Sequence, residues 1–209
     1  MHRTRIKICG ITRAEDLTAA VQAGADALGF VFYPPSPRFI PADQACRLAE
    51  RVPPFVSRVG LFVNADPDFV WETLAITPLD VLQFHGDEDA DYCAQFGRPY
   101  LKAARVRPEL DLLEFARTFP TAQGMLLDAW AEGYGGAGKS FDWSLIPDRL
   151  PLPMLLSGGL HAGNVVEAVV KTRPWAVDVS SGVERAKGVK DAGKIAAFVA
   201  AVREADVRT

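Results

Sequence analysis

The sequence has few cysteines and no long apolar run. Its three cysteines, Cys9, Cys46 and Cys93, are far apart and odd in number, and no C-x-x-C pair occurs. This spacing argues against a disulfide framework and against a structural zinc site. No apolar stretch approaches the ~20 residues that a membrane helix needs. The basic start, residues 1–5, leads into a short strand pattern rather than the apolar core of a signal peptide. We therefore expect a cytoplasmic protein with no membrane partner.

The chain also lacks an excess of charge of one sign. It has 23 Lys and Arg against 26 Asp and Glu, a formal net charge of −3, and no basic tract. Nucleic-acid-binding domains carry clustered positive charge, so nucleic acid is not the expected partner. Hydrophobic residues make up 49% of the 209 residues, which is enough for a large core. No linker or low-complexity tract interrupts the chain, and we expect one catalytic domain over residues 1–209.

Eight short apolar runs, rich in leucine and β-branched residues, predict strands. They are residues 5–9, 27–32, 58–63, 81–84, 100–106, 124–128, 153–157 and 176–180. Segments of helical period lie between and after them: 14–23, 41–51, 67–76, 89–96, 109–119, a shorter one at 142–146, 162–171 and 190–203. Several runs are continuously apolar, as strands buried on both faces are. The alternation predicts an α/β fold, a single (β/α)8 TIM barrel. A doubly wound open sheet is the alternative, because its local alternation is the same.

Two residues are candidates for proton transfer, because the active site of such a barrel lies at the C-terminal ends of its strands. Cys9 ends the first run and stands at the expected mouth, where a thiol suits a base or a nucleophile. The alternative is a small buried core residue. Asp128 ends the sixth run, after apolar residues that disfavour its charged form and so suit a general acid. A helix cap or a structural salt bridge is the alternative for Asp128.

Three further polar residues are candidates for substrate binding. Arg38 follows the second run in a loop that three prolines stiffen, and its guanidinium could hold a carboxylate or a phosphate with two hydrogen bonds. A surface arginine is the alternative. His85 follows the fourth run and could donate to substrate, or it could be a structural hydrogen-bonding residue. Asp178, near the end of the eighth run, is the third candidate.

The seventh and eighth runs end in glycine and serine, which predicts a phosphate site. Gly158 and Gly159 follow the seventh run, and Ser180, Ser181 and Gly182 follow the eighth. Backbone N–H groups of such loops converge on an anion, serine hydroxyls add donors, and a short helix after the eighth strand would contribute. The alternative is a pair of ordinary tight turns.

The segment GYGGAGKS at 133–140 matches the P-loop pattern but lacks its context. A P-loop needs a strand directly before the first glycine and a long helix after the serine. Here residues 130–132 follow the sixth run, and Pro147 interrupts the next helical pattern. We expect a glycine-rich lid over the barrel mouth with Lys139 solvated, and no nucleotide site.

The motifs resemble those of the phosphoribosylanthranilate isomerase family of tryptophan biosynthesis over nearly the whole chain. They are KICGIT at 7–12, GFVF at 29–32 with SPR at 36–38, VGLFVN at 59–64, LQFHG at 82–86, LLD at 126–128 with GGAG at 135–138 and FDW at 141–143, LSGGL at 156–160 with NV at 164–165, and DVSSGVE at 178–184 with GVKD at 188–191. One departure is Ala137, where the family commonly has a hydroxyl residue.

The resemblance implies an Amadori rearrangement of N-(5-phosphoribosyl)anthranilate to 1-(2-carboxyphenylamino)-1-deoxyribulose 5-phosphate, with no metal or cofactor. By resemblance, Asp128 would protonate the ring oxygen, Cys9 would remove the C2′ proton, and Arg38 would hold the anthranilate carboxylate. A small substrate is the expected partner, and the chain is expected to be a monomer or a homodimer. Another sugar-phosphate barrel, such as a pentose-phosphate epimerase, and a non-catalytic phosphate-binding module remain as alternatives.

Overall fold

Eight parallel strands form a closed barrel in chain order. The computed structural model describes residues 3–129 and 141–208. The barrel strands are β1 (Arg5–Cys9), β2 (Ala27–Val31), β3 (Ser57–Phe62), β4 (Val81–Phe84), β5 (Tyr100–Val106), β6 (Gly124–Ala129), β7 (Met154–Leu156) and β8 (Ala176–Val179). Because β1 pairs with β2 on one side and with β8 on the other, the sheet has no open edge. The predicted barrel is confirmed, and the open sheet is excluded.

Helices follow the strands and cover the barrel. They are α1 (Ala14–Ala23), α2 (Ala42–Ala49), α3 (Pro67–Ile76), α4 (Ala90–Ala94), α5 (Leu112–Arg117), α6 (Val165–Thr172) and α7 (Ala192–Arg208), with 3-10 helices at Trp143–Leu145 and Ser181–Val183. Among the described residues, no helix has the length and apolar character to cross a bilayer.

Side-chain caps explain where several helices begin. Asp66 accepts from the Asp68 N–H and caps the N-terminus of α3, which begins at Pro67 as predicted. Asp111 accepts from the second and third residues of α5, so that helix begins at Leu112 rather than at the predicted residue 109. Pro41 is extended and stands just before α2, so that helix begins at Ala42 rather than at the predicted residue 41. Helical period alone therefore overestimated both helices.

A short hairpin after β8 replaces the predicted start of the last helix. Its strands are β9 (Glu184–Ala186) and β10 (Val189–Lys190). The Asp191 side chain accepts from the Lys194 N–H, and α7 therefore begins at Ala192 rather than at Lys190. The hairpin contacts the loop after β1, where the Thr12 hydroxyl donates to the Gly188 carbonyl at 2.9 Å. It forms one wall of the barrel mouth.

Strand alternation decides which side chains face the barrel interior. Ile6 and Ile8 of β1 pack with Leu17 of α1 in the layer between barrel and helices. Successive side chains of a strand point to opposite faces, so Lys7 and Cys9 face inward. The same argument applies to other strands whose alternate residues pack outward. It turns Gln83, His85, Asp128 and Asp178 inward as well.

Candidate functional site

Cys9 lies at the C-terminal end of β1 and is more buried than the sequence suggests. Only 5% of its surface is exposed, and its apolar neighbours are Val31, Leu61 and Val63. Gly29 on β2 makes room for the thiol, because a Cβ at that position would lie 2.9 Å from the Cys9 Sγ. The expectation of an open cleft position is therefore corrected, since the thiol sits beneath the mouth in a space that a glycine leaves.

Lys7 and Asp178 form a buried ion pair beside this thiol. The Lys7 Nζ lies 2.8 Å from the Asp178 Oδ1, and both side chains are almost fully buried. A Cβ on Gly29 would lie 3.2 Å from the Lys7 Nζ, so the ammonium and the Cys9 thiol border the same space. Asp178, predicted to bind substrate, is thus engaged by Lys7. Sequence reasoning gave Lys7 no role, although a lysine two residues before Cys9 in an apolar strand was the available signal.

Burial and these charges act in opposite directions on the thiol. Burial raises the pKa of Cys9 above its ordinary value and the Asp178 carboxylate adds to this effect, whereas the Lys7 and Lys190 ammonium groups lower the pKa and offset only part of the rise. Burial alone would lower the pKa of Lys7, but the negative charges of Asp178 and Cys9 outweigh it and raise the pKa. Lys7 therefore stays charged next to Cys9.

Asp128 and His85 are brought together across the mouth. The His85 Nε2 lies 3.1 Å from the Asp128 Oδ2, and the His85 Nδ1 lies 3.0 Å from the Gln83 amide nitrogen. The His85 ring thus bridges the Gln83 amide and the Asp128 carboxyl group. The other carboxyl oxygen of Asp128 accepts from the Ala129 N–H at 2.9 Å. His85 therefore orients Asp128.

The loop after β7 lies directly against the Asp128 carboxyl group. A Cβ on Gly158 would lie 2.7 Å from the Ala129 nitrogen and 3.0 Å from the Asp128 Oδ1. Gly158 and Gly159 are both left-handed, with φ of 82° and 63°. Only glycine allows this path without strain or collision. The two glycines therefore allow the loop after β7 to pass close to the Asp128 carboxyl group.

The loops after β7 and β8 meet, as a phosphate site requires. A Cβ on Gly182 would collide with the Leu160 carbonyl oxygen, so the two loops are in contact. Within the described residues, no backbone acceptor takes the N–H of Gly158 or Gly159. Ser180 and Ser181 are partly exposed, and the expected short helix follows β8 as the 3-10 turn Ser181–Val183.

Arg38 is a buried member of an ion-pair cluster and not a surface arginine. Its guanidinium donates from Nε and Nη2 to the two carboxylate oxygens of Glu184, at 2.8 and 2.9 Å. Lys190 donates to Glu184 at 2.9 Å and to the Ser180 carbonyl at 3.1 Å. The cluster links the loop after β2 to the proposed phosphate loop. Sequence reasoning quoted Glu184 and Lys190 inside motifs but assigned them no function.

The glycine-rich segment at 133–140, with Lys139 and Ala137, lies outside the described residues. The expectations of a lid and of an absent nucleotide site therefore remain predictions.

A closed parallel barrel with its inward-facing polar side chains gathered at the C-terminal mouth defines a (β/α)8-barrel enzyme. The model of the N-(5'phosphoribosyl)anthranilate (PRA) isomerase family matches residues 6–201, and the chain belongs to this family. The resemblance drawn from the motifs is confirmed.

Relatives of known name and structure agree with this assignment. The N-(5'-phosphoribosyl)anthranilate isomerase of Dechloromonas aromatica is 65% identical over 204 residues, which cover 98% of each chain. The crystal structure of phosphoribosyl anthranilate isomerase from Thermotoga maritima has a TM-score of 0.88 at 42% identity and covers 96% of this chain and 99% of its own. A phosphoribosyl anthranilate isomerase solved with reduced 1-(o-carboxyphenylamino)-1-deoxyribulose 5-phosphate has a TM-score of 0.85 at 40% identity, with the same coverage.

Proposed function

We propose that this chain converts N-(5-phosphoribosyl)anthranilate to 1-(2-carboxyphenylamino)-1-deoxyribulose 5-phosphate, with Cys9 as the base and Asp128 as the acid. Isomerisation in tryptophan biosynthesis is the activity of the family to which the chain belongs. One observation carries the two residue assignments. A thiol and a carboxyl group lie at inward-facing positions on β1 and β6, at the end of the barrel where active sites form.

Asp128 starts the reaction by giving a proton to the furanose ring oxygen. The C1′–oxygen bond then breaks while the anthranilate nitrogen forms a double bond to C1′, which produces an open-chain Schiff base. His85 holds the carboxyl group in place through the Oδ2.

Cys9 continues the reaction by removing the C2′ proton. The thiolate is the active form, and Lys7 and Lys190 supply the positive charge that stabilises it. The electrons left at C2′ move toward the Schiff base and give an enolamine, which tautomerises to the ketoamine product. Because the acid and the base come from β6 and β1, they act on the substrate from different sides of the barrel axis.

The two ends of the substrate are anions, and the structure offers a separate group for each. Gly158, Gly159, Ser180, Ser181 and Gly182 would hold the phosphate with backbone N–H groups and hydroxyls. Arg38 would hold the anthranilate carboxylate with the donors that Glu184 leaves free. A related isomerase has been solved with the reduced product, which supports the same class of ligand here. Anchoring both ends aligns the reacting carbons.

The proposal also covers the domain organisation, location, partners and oligomeric state of the protein. We take residues 1–209 as one catalytic domain, acting in the cytoplasm on a small substrate, without a cofactor and without nucleic acid or membrane as a partner. Either a monomer or a homodimer is compatible with it. A pentose-phosphate epimerase would use a metal cluster or two carboxylate bases, whereas a thiol and one carboxyl group serve as base and acid here.

The decay of phosphoribosylanthranilate fluorescence with purified protein tests the function. We expect turnover by the wild-type chain and a loss of about 10²–10⁴-fold in Cys9→Ala and in Asp128→Asn, with the circular dichroism spectrum unchanged. Cys46→Ala is the matched control, because Cys46 lies on α2 away from the mouth. Wild-type protein that binds the reduced product without turning over substrate would indicate a binding module instead. Cys9→Ala with activity within threefold of wild type would remove Cys9 from the mechanism.

A further inference from the structure

We propose that Lys7 is a positioning residue whose ammonium group stabilises the thiolate form of Cys9 and is itself fixed by Asp178. This inference rests on the proposed function, because it explains how a buried thiol serves as a base. It also gives Asp178 a different role from the one predicted: Asp178 holds Lys7 beside the base and does not contact the substrate.

The position of Lys7 follows from strand geometry. Lys7 and Cys9 are two residues apart on β1, so both point into the barrel. Lys7 is directly opposite Asp178 in the β1–β8 register, and their side chains meet at 2.8 Å. Opposite Cys9, Gly29 on β2 provides no side chain, and the ammonium and the thiol therefore share the open space above it.

Burial of the pair argues for a role beyond stability. Removing two charges from water is costly, and a buried ion pair is often no more stable than an apolar pair of the same size. The side chains of Lys7 and Asp178 are 3% and 6% exposed. Another buried lysine, Lys102, pairs with Glu88 in the outer layer and also donates to the Gly86 carbonyl, which gives it a clear structural task. Within residues 3–129 and 141–208, the charged or polar neighbours of the Lys7 ammonium are Asp178 and Cys9.

Of the residues that the structure describes, four charged groups act on the thiol. Lys7 comes from its own strand, Asp178 from β8, Lys190 from β10 and Arg38 from the loop after β2. Lys190 and Arg38 are both bound to the Glu184 carboxylate, which offsets their positive charge. Lys7 has the largest lowering effect of these cations on the thiol, because it borders the same space as the Cys9 Sγ, and Asp178 limits this effect while keeping Lys7 in place.

The test measures Cys9 directly, without substrate. Protein labelled with ¹³C at the cysteine Cβ is titrated, and the Cys9 resonance is assigned by its loss in Cys9→Ser. In Lys7→Met we expect the thiol to titrate at higher pH than in wild type. We also expect kcat/KM at pH 7 to fall at least ~10-fold and its rising limb to move to higher pH, with kcat partly recovered there. Lys7→Arg, which keeps the charge, should restore the midpoint.

Lys102→Met is the matched control, because it breaks a buried lysine pair of the same kind outside the mouth. It should lower the melting temperature but leave the Cys9 midpoint unchanged. If Lys7→Met does not fold, Asp178→Asn and the double variant Lys7→Met/Asp178→Asn replace it, and the midpoint should be higher in the double variant than in Asp178→Asn. Equal midpoints with and without Lys7 would overturn the inference and leave Lys7 a structural residue. A wild-type chain with no isomerase activity would instead reject the proposed function, while the titration would still decide the part played by Lys7.

Discussion

The Glu184 carboxylate holds the Arg38 guanidinium in a fixed plane. Its Oε1 lies 2.8 Å from the Arg38 Nε and its Oε2 lies 2.9 Å from the Nη2. A guanidinium has five N–H donors, so this contact uses two and aims the others from a set direction. The pair joins residues 146 positions apart in sequence. Arg38 is thus oriented before any ligand arrives.

Glu184→Gln should weaken substrate binding more than it slows chemistry. The amide can accept from only one arm of the guanidinium, so Arg38 loses its fixed orientation. A charge-assisted hydrogen bond contributes on the order of 1.5–3 kcal/mol, and we expect KM to rise about tenfold or more with kcat within a few-fold. Steady-state kinetics measure both. Glu114→Gln on exposed α5 is the control and should change neither. A fall in kcat at constant KM would contradict this role for Glu184.

Acid should destabilise the protein partly through Glu184. Burial by itself would raise the pKa of Glu184, but the hydrogen bonds and positive charges of Arg38 and Lys190 lower it overall. A lowered folded pKa stabilises the fold above the unfolded value of about 4.3. That contribution is lost as the pH falls through the folded pKa. Urea unfolding at pH values from about 7 to 3 should show a shallower loss of stability in Glu184→Gln than in wild type. Parallel curves would mean that Glu184 contributes nothing to the acid response.

Arg38→Met should weaken binding of the carboxylate end of the ligand without weakening binding of the phosphate end. The proposed phosphate loops follow β7 and β8, whereas Arg38 follows β2, so the substitution should affect only the carboxylate end. We expect the reduced product to bind with a loss on the order of 1.5–3 kcal/mol and inorganic phosphate to bind almost as before. Calorimetric titration of both ligands measures this. Equal losses would assign Arg38 to the phosphate site.

Gly158→Ala should displace the general acid Asp128, because Gly158 lies against its carboxyl group and the neighbouring backbone. The new Cβ would press on the Ala129 nitrogen and the Asp128 Oδ1, so kcat should fall at least tenfold while the barrel still folds. Gly24→Ala is the control, because Gly24 is also left-handed, with φ of 95°, but has nothing within 4 Å of the added Cβ. It should cost only the strain, about 1–2 kcal/mol in urea unfolding, and leave kcat unchanged. Equal kcat in both variants would show that the approach of Gly158 to Asp128 is unimportant.

The barrel and the candidate residues could be predicted because both follow from local pattern. Buried parallel strands are continuously apolar, and polar residues that end them must lie at one mouth. The hairpin at β9 and β10 was missed because strands of three and two residues are too short to show a period. Because the hairpin was not predicted, the roles of Glu184 and Lys190 were not predicted either, and the partners of both residues are distant in sequence.

The burial of Cys9 and the role of Lys7 could not be predicted for a similar reason. Both depend on what neighbouring strands place beside β1. The side chain absent from Gly29 and the carboxylate of Asp178 are known only once the strand register is known.

The pairing of β1 with β8, finally, means that activity can arise only after the last barrel strand has been synthesised. Asp178 is made 171 positions after Lys7. A nascent chain that has not yet completed β8 has neither a closed barrel nor a counterion for Lys7. Two fragments, one with β1 and the other with β8, should therefore be inactive separately. They should regain turnover only when they associate and β1 pairs with β8.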